Sequence, residues 1–160
     1  MVTEARKFAI LAHGDQMYGE QPYSFHLDSV ASIARRHSKE AEIIAYLHDI
    51  LEDTDVKIKE IQDNFNDFFA QAVSLITDEP GRNRNERKLK TYDKLTNVTG
   101  DLEIALVVKA ADRLANVKAC IADNNTHLLS MYTKEHRMFK DSIYREGLCD
   151  WIWEELDGLL

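Results

Sequence analysis

A histidine and an aspartate stand side by side at His48-Asp49, and Glu52 and Asp53 follow them. Both are costly to bury without partners, yet they close an apolar run, Ile43-Ile44-Ala45-Tyr46-Leu47. In a continuous helix, Glu52 falls one turn beyond His48 and Asp53 one turn beyond Asp49. Ligand-type and acid–base side chains then gather over about one turn. Hydrophobic packing has no use for that grouping. A divalent cation such as Mn²⁺, Fe²⁺ or Zn²⁺ does, because imidazole nitrogen and carboxylate oxygen suit it and the second pair can orient a water. A capped, solvated helix end would also gather acids, and is the plain alternative for this segment taken alone.

One such pair cannot complete a coordination shell. Among the six histidines, His26 precedes an apolar helical run and can reach inward, whereas His37, beside Arg35-Arg36, reads as exposed. His13 ends the first helical stretch, where it is either a favourable C-terminal charge or a neighbour of the site. Asp112 interrupts a strongly apolar helical run, with Lys109 three residues before it and Asn116 four after, all on one face. A carboxylate there wants a cation, either Lys109 or a metal. The stretch Gly81–Lys90 concentrates Arg82, Arg84, Arg87, Lys88 and Lys90 against one Glu86, which suits a polyphosphate, or merely a solvated helix start. Lys134, His136, Arg137 and Lys140 form a second basic candidate.

The elements that must position these groups are helical. Periodicity marks helices over about Thr3–His13, Leu27–His37, Lys39–Leu51, Ile58–Phe65, Phe68–Ile76, Arg84–Val98, Leu102–Ala122 and Leu128–Leu160, the last breaking near Gly147. Gly14-Asp15-Gln16 ends the first, and Gly19-Glu20-Gln21-Pro22 keeps the following segment as a loop up to His26. Asp53-Thr54-Asp55 reads as a turn with helix-start residues, and Pro80-Gly81 as the clearest loop. No β-hairpin signal, repeat or linker stands out. The expectation is an all-α chain forming one compact domain over residues 1–160.

Composition excludes several classes. Twenty Lys+Arg against 28 Asp+Glu leave a net charge of −8, which argues against general nucleic-acid or anionic-membrane binding. No apolar run approaches the ~20 residues of a membrane span. The charged start Met1–Lys7 is unlike a secretory signal, and two cysteines without metal-ligand spacing fit core filler in a reducing, cytoplasmic setting. No phosphate-binding glycine loop, His-Glu-x-x-His, deaminase cysteine pair or Gly-x-Ser-x-Gly elbow is present. Oligomeric state is not legible.

The order His26 … His48-Asp49 … Asp112 resembles the metal site of the HD phosphohydrolase superfamily. Ala9–Tyr23, Ala45–Thr54 and Lys109–Asn116 narrow the likeness to the hydrolase domain of Rel/Spo alarmone enzymes, the free-standing metazoan SpoT homologues above all. The resemblance spans roughly residues 3 to 120, and its His-Asp-x-x-Glu-Asp-Thr string is the most specific part. It implies an HD-type helical fold in which His26, His48, Asp49 and Asp112 hold one Mn²⁺. Glu52 and Asp53 would activate the attacking water, and Asn116 would contact the sugar. Lys109, Arg87 and Lys88 would meet the leaving pyrophosphate. The implied reaction removes the 3′-pyrophosphate of guanosine tetra- or pentaphosphate. The chain ends at Leu160 without the synthetase domain of the long bifunctional relatives, so hydrolysis alone is expected.

Two departures bear on specificity. Met17-Tyr18 stand where the family usually carries Arg-Lys, so Tyr18 is left to stack on a base without the cation. Lys118-Ala119 replace an Arg and a small hydroxyl residue after Asn116. An adenosine alarmone, NADPH or a nucleoside monophosphate are therefore alternative substrates. A nucleotide-binding module without turnover is a third reading, against which both Glu52 and Asp53 weigh.

Overall fold

The computed structural model describes residues 1–160, and helices dominate it. They are α1 (Val2–His13), α2 (Tyr23–Ala34), α3 (Lys39–Leu47), α4 (Ile50–Asp53), α5 (Ile58–Asn64), α6 (Asp67–Ile76), α7 (Arg84–Thr96), α8 (Ile104–Ala122), α9 (Thr126–Ile143) and α10 (Asp150–Leu159). A 3₁₀ turn, Gly100–Glu103, leads into α8.

Short polar side chains start several helices by accepting orphan backbone N–H groups. Ser38 caps α3 through Ala41, Asn66 caps α6 through Phe69, Asn83 caps α7 through Glu86, and Asn125 caps α9 through Leu128. At α5 the start differs from expectation. Thr54 Oγ1 accepts from the Val56 N–H to tighten the turn, while Glu60 reaches back to the Lys57 N–H.

Helix α8 is the axis. Ala105, Leu106, Val107, Val108, Ala110, Ala111, Leu114 and Val117 are all buried, and α2, α3, α6, α9 and α10 pack on it. Its alanines let neighbouring helices approach closely, while Leu106 and Leu114 fill the gaps between them. Each fully buried Leu or Ile contributes about 1.5–3 kcal/mol. Leu27, Ile44, Leu47 and Phe139 belong to the same core, so the polar groups embedded among them sit on rigid supports.

Three expectations are corrected. A two-residue hairpin exists: Met17–Tyr18 (β1) pairs antiparallel with Gln21–Pro22 (β2) around Gly19, whose φ is +58. Strands so short carry no periodicity that a sequence could display. The chain up to His26 is not all loop, because α2 begins at Tyr23, directly after the extended N-cap Pro22, and places His26 in its first turn. The helix over Lys39–Leu51 is broken, since α3 ends at Leu47 and Asp49 takes φ −99 and ψ 0 before α4 begins. That backbone region is sparsely populated and recurs at active sites. The break after Gly147 is as expected, its φ being +81, and separates α9 from α10.

Candidate active site

Three helices bring the expected cluster together. His26 comes from the first turn of α2, His48 and Asp49 from the break after α3, and Asp112 from the middle of α8. His26 and His48 are 2% and 3% exposed. Ligand atoms of His26, His48 and Asp49 all lie within 4.8 Å of one another. From α8, Asp112 Oδ1 stands 3.1 Å from His26 Nε2 and 3.4 Å from His48 Nε2.

The protonation pattern is forced by the partners. His48 Nδ1 lies 2.6 Å from the Ala45 carbonyl, which can only accept, so Nδ1 carries the hydrogen. His48 Nε2 is then left as a lone pair in the neutral ring. It is buried without a hydrogen bond, although Asp49 Oδ2 approaches to 2.9 Å. An imidazole lone pair facing two carboxylates is repulsive unless a cation lies between them. Without a metal that cation is a proton: burial disfavours charge on His48, but Asp49 and Asp112 outweigh it and hold its pKa well above the usual value. Burial likewise opposes ionisation of Asp49 and Asp112, yet the His48 charge keeps both below the ordinary carboxylate range. The donor set fits a divalent metal of the nitrogen–oxygen class.

The surrounding groups fix these donors. The Tyr23 hydroxyl donates to Asp49 Oδ2, and Asn116 Nδ2 donates to Asp112 Oδ1 at 2.9 Å. Tyr18 stacks on the His26 ring, with centroids 4.5 Å apart and planes at 14°, and gives its hydroxyl hydrogen to Asn116 Oδ1 at 2.6 Å. Both polar atoms of Asn116 are thus engaged within the protein, and one face of Tyr18 is used.

A polar cavity of about 230 Å³ opens beside the cluster. Asp49 and Asp112 line it together with the exposed Glu52 and Asp53 and with four cations, Arg84, Lys88, Lys109 and Arg113. Glu52 Oε1 accepts the Asp78 backbone N–H at 2.5 Å. Enclosure by protein atoms raises the Glu52 pKa, a tendency that Lys109 partly offsets. Asp53 Oδ2 accepts from Gln16 Nε2 at 2.9 Å. Asp53 stays one turn beyond Asp49, its N–H donating to the Asp49 carbonyl at 3.0 Å, whereas the break leaves the Glu52 N–H on Asp49 rather than on His48.

Lys109 does not pair directly with Asp112. Its ammonium donates to the Ile76 carbonyl at 2.9 Å and lies 3.5 Å from Asp78 Oδ1. Burial works against its charge, but Asp78 and Asp112 more than compensate and lift its pKa. Lys88 donates to Asp78 Oδ2 at 2.7 Å, and burial together with Lys109 lowers its pKa. Arg87 lines an adjoining cavity of about 520 Å³ that shares Glu52, Asp53, Arg84 and Lys88.

Sequence reasoning missed Arg113, Arg84, Glu135 and Tyr132 as members of the site. Glu135 on α9 receives Arg84 at 2.9 Å and Arg113 at 3.1 Å, and Arg113 lies over the rings of Phe139 and Tyr132. Arg113 Nη1 is buried without a partner. Arg113 was findable, because 109, 112, 113 and 116 share one helical stripe. Arg84 was inside the basic stretch already singled out, whereas nothing in the spacing points Tyr132 or Glu135 at this cavity. In the second basic candidate, Lys134 and Arg137 are exposed, while His136 and Lys140 bind Asp157 of α10. Both cysteines are buried in the core.

A family model described as an HD domain matches residues 5–136. The chain belongs to the HD-domain family. A guanosine-3′,5′-bis(diphosphate) 3′-pyrophosphohydrolase of Aquifex aeolicus is 32% identical over 120 residues, covering 73% of this chain and 17% of that protein. The guanosine-3′,5′-bis(diphosphate) 3′-pyrophosphohydrolase MESH1 of Mus musculus is 30% identical, covering 73% of this chain and 68% of the mouse protein. The chain therefore spans under a fifth of the bacterial relative and about two thirds of the mouse one. A solved structure of a metazoan ortholog of SpoT that hydrolyzes ppGpp superposes with TM-score 0.84 at 21% identity, over 99% of this chain and 92% of that one. The HD fold therefore extends beyond the matched residues into α10. No helix of this HD protein is long and apolar enough to cross a membrane.

Proposed function

We propose that this chain is a divalent-metal-dependent phosphohydrolase that removes the 3′-pyrophosphate of guanosine tetra- and pentaphosphate. The observation that carries the reading is the convergence of His26, His48, Asp49 and Asp112 beside a cavity that four cations also line. The names of the bacterial and mouse relatives support the same substrate. Residues 1–160 act as one HD-type unit, and a cytoplasmic setting suits two buried, free cysteines.

Those four residues would hold the metal, and Mn²⁺ suits two imidazoles with two carboxylates. When bound, the ion would supply Lewis-acid polarisation of a phosphoryl oxygen and would lower the pKa of a water. The chain's own residues do the rest. With one Glu52 oxygen held by the Asp78 amide, the other accepts the proton of the attacking water. The raised pKa of this carboxyl brings its proton affinity closer to that task. Asp53 completes the water-orienting pair. The water oxygen bonds to the phosphorus attached to the 3′ oxygen as that P–O bond breaks, and the proton taken up by Glu52 returns to the leaving 3′ oxygen, so that pyrophosphate and a 3′-hydroxyl result. Lys109, Lys88, Arg84 and Arg113 offset charge on the oxygens of the pyrophosphoryl group as it is transferred to water, an effect that is usually the largest contribution in phosphoryl transfer. Arg87 meets phosphate at the outer cavity, while Tyr18 and Asn116 border the sugar.

A second reading, hydrolysis of an adenosine alarmone, NADPH or a nucleoside monophosphate, is favoured by one feature. Tyr18 closes onto Asn116 and His26 where the family usually carries cations. A panel of these nucleotides with Mn²⁺, scored for product identity, separates the two. Pyrophosphate released from the guanosine substrates supports the first reading. Orthophosphate from NADPH or a monophosphate, with no pyrophosphate from guanosine substrates, overturns it. Tight nucleotide binding with no product at all would leave only a binding module.

A further inference from the structure

His13 is buried, titratable and unused by the chemistry above. Its Nδ1 lies 2.9 Å from Gln16 Oε1, and Gln16 Nε2 lies 2.9 Å from Asp53 Oδ2. The direction of this chain of bonds is fixed by what each end can do. The Asp53 carboxylate only accepts, so Gln16 must turn its NH₂ toward it, and its carbonyl oxygen then faces His13. A carbonyl only accepts as well, so His13 Nδ1 carries the hydrogen. No other side-chain type of this length offers an acceptor at one branch and a donor at the other: Glu cannot donate and Leu can do neither.

The backbone is built around this link. Gly14, with φ +55, turns the chain sharply out of α1. The Gln16 N–H then donates to the His13 carbonyl at 3.1 Å, and the Gln16 carbonyl accepts from the Tyr23 N–H at the start of α2 at 3.0 Å. Gln16 is thereby anchored at the junction of α1 and α2. The His13 ring is clamped too, stacked on Tyr23 with centroids 4.6 Å apart and planes at 30°. Asp53, on the exposed rim of the cavity at the end of a four-residue helix, makes no other side-chain hydrogen bond. An unrestrained carboxylate there would sample several rotamers, and only some place it against a water in the cavity.

The geometry points to His13 and Gln16 as positioning residues: His13 orients the Gln16 amide, and Gln16 holds the Asp53 carboxylate at the rim of the reaction cavity. The inference rests on the proposed phosphohydrolase reading, in which Asp53 shares the water-orienting task with Glu52. Neither His13 nor Gln16 lines the reaction cavity.

The test measures kcat, KM and Mn²⁺ affinity, the last by calorimetry without substrate, for wild type, Gln16→Leu, Gln16→Glu, His13→Leu and His13→Asn. Gln16→Leu is expected to lower kcat roughly tenfold to hundredfold, with KM and Mn²⁺ affinity within about twofold of wild type. Gln16→Glu keeps the size but sets a carboxylate against Asp53, and is expected to lose at least as much. His13→Leu lowers kcat by a smaller factor. His13→Asn returns a donor close to the Nδ1 position and is expected to recover most of that loss, which a purely structural role for the ring would not allow. Melting curves identify any variant that fails to fold, and His13→Asn and Gln16→Glu, the closest in shape, then decide. An active wild type with undiminished kcat in both Gln16 variants overturns the inference alone, as does His13→Asn impaired as deeply as His13→Leu. A wild type that turns over no phosphorylated nucleotide overturns the parent reading and the inference with it.

Discussion

The two groups of side chains around the cavity solve opposite electrostatic problems. On the His–Asp side, donors from α2, the α3–α4 break and α8 crowd negative charge and lone pairs together, leaving His48 Nε2 buried without a hydrogen bond. On the cationic side, Arg84, Lys88, Lys109 and Arg113 are already answered by Asp78 and Glu135. The first side is incomplete without a cation and collapses chemically when one donor goes. The second sets two carboxylates against four cations and keeps an excess of positive charge for phosphate oxygens, so its residues tune binding more than they create activity. A site can thus be demanding on one side and graded on the other.

Removing donors from the demanding side gives the largest expected effect. His48→Ala/Asp49→Ala is expected to lose bound metal and to lower turnover by about a thousandfold or more, read by elemental analysis beside a product assay. Glu52→Gln is expected to keep the metal while kcat falls about a hundredfold to ten-thousandfold. Full activity in Glu52→Gln would remove this residue from water activation.

The graded side responds differently. Arg113→Met leaves Glu135 and Arg84 paired but removes a buried, partly unpartnered cation. A charge-assisted hydrogen bond is worth about 1.5–3 kcal/mol, so KM is expected to rise roughly tenfold to hundredfold with a smaller change in kcat. Equal losses in kcat and kcat/KM would place Arg113 with the chemistry and blur the contrast. The pH dependence sharpens it further. Glu52 must be ionised to accept a proton, and its pKa is raised from 4.5 by enclosure. Rate is therefore expected to fall as pH drops through a midpoint above 4.5, and that limb should vanish in Glu52→Gln. Smallest of all is Tyr18→Phe, which removes one neutral hydrogen bond to Asn116 worth about 0.5–1.5 kcal/mol. A melting temperature lowered by a few degrees, with kcat changed by less than about fivefold, is the expected result.

What was legible in the sequence follows the same division. The His48-Asp49 pair and Asp112 stood out because polar ligand types interrupt apolar helical runs, a conflict that local pattern exposes. Helix α8 was equally plain, its apolar stripe running from Ile104 to Val117. The break after Leu47 was hidden, because an unbroken helix and a helix–turn–helix present the same apolar spacing there. The Met17–Pro22 hairpin was hidden for lack of length. Tyr132 lines the cavity from α9 and Glu135 pairs with Arg84 and Arg113 through tertiary packing alone, and exposed-looking helical spacing gives no sign of either. Gln16 reads as a loop residue until Asp53 is seen beside it.

The central claim is that His26, His48, Asp49 and Asp112 grip one divalent ion. Elemental analysis of purified wild type, His48→Ala/Asp49→Ala and Asp112→Asn after Mn²⁺ loading and desalting tests it most directly. The account predicts about one ion per chain in wild type and a near-complete loss in the double variant, with Asp112→Asn strongly weakened. Metal retained at wild-type stoichiometry in the double variant, or none in wild type, would contradict it.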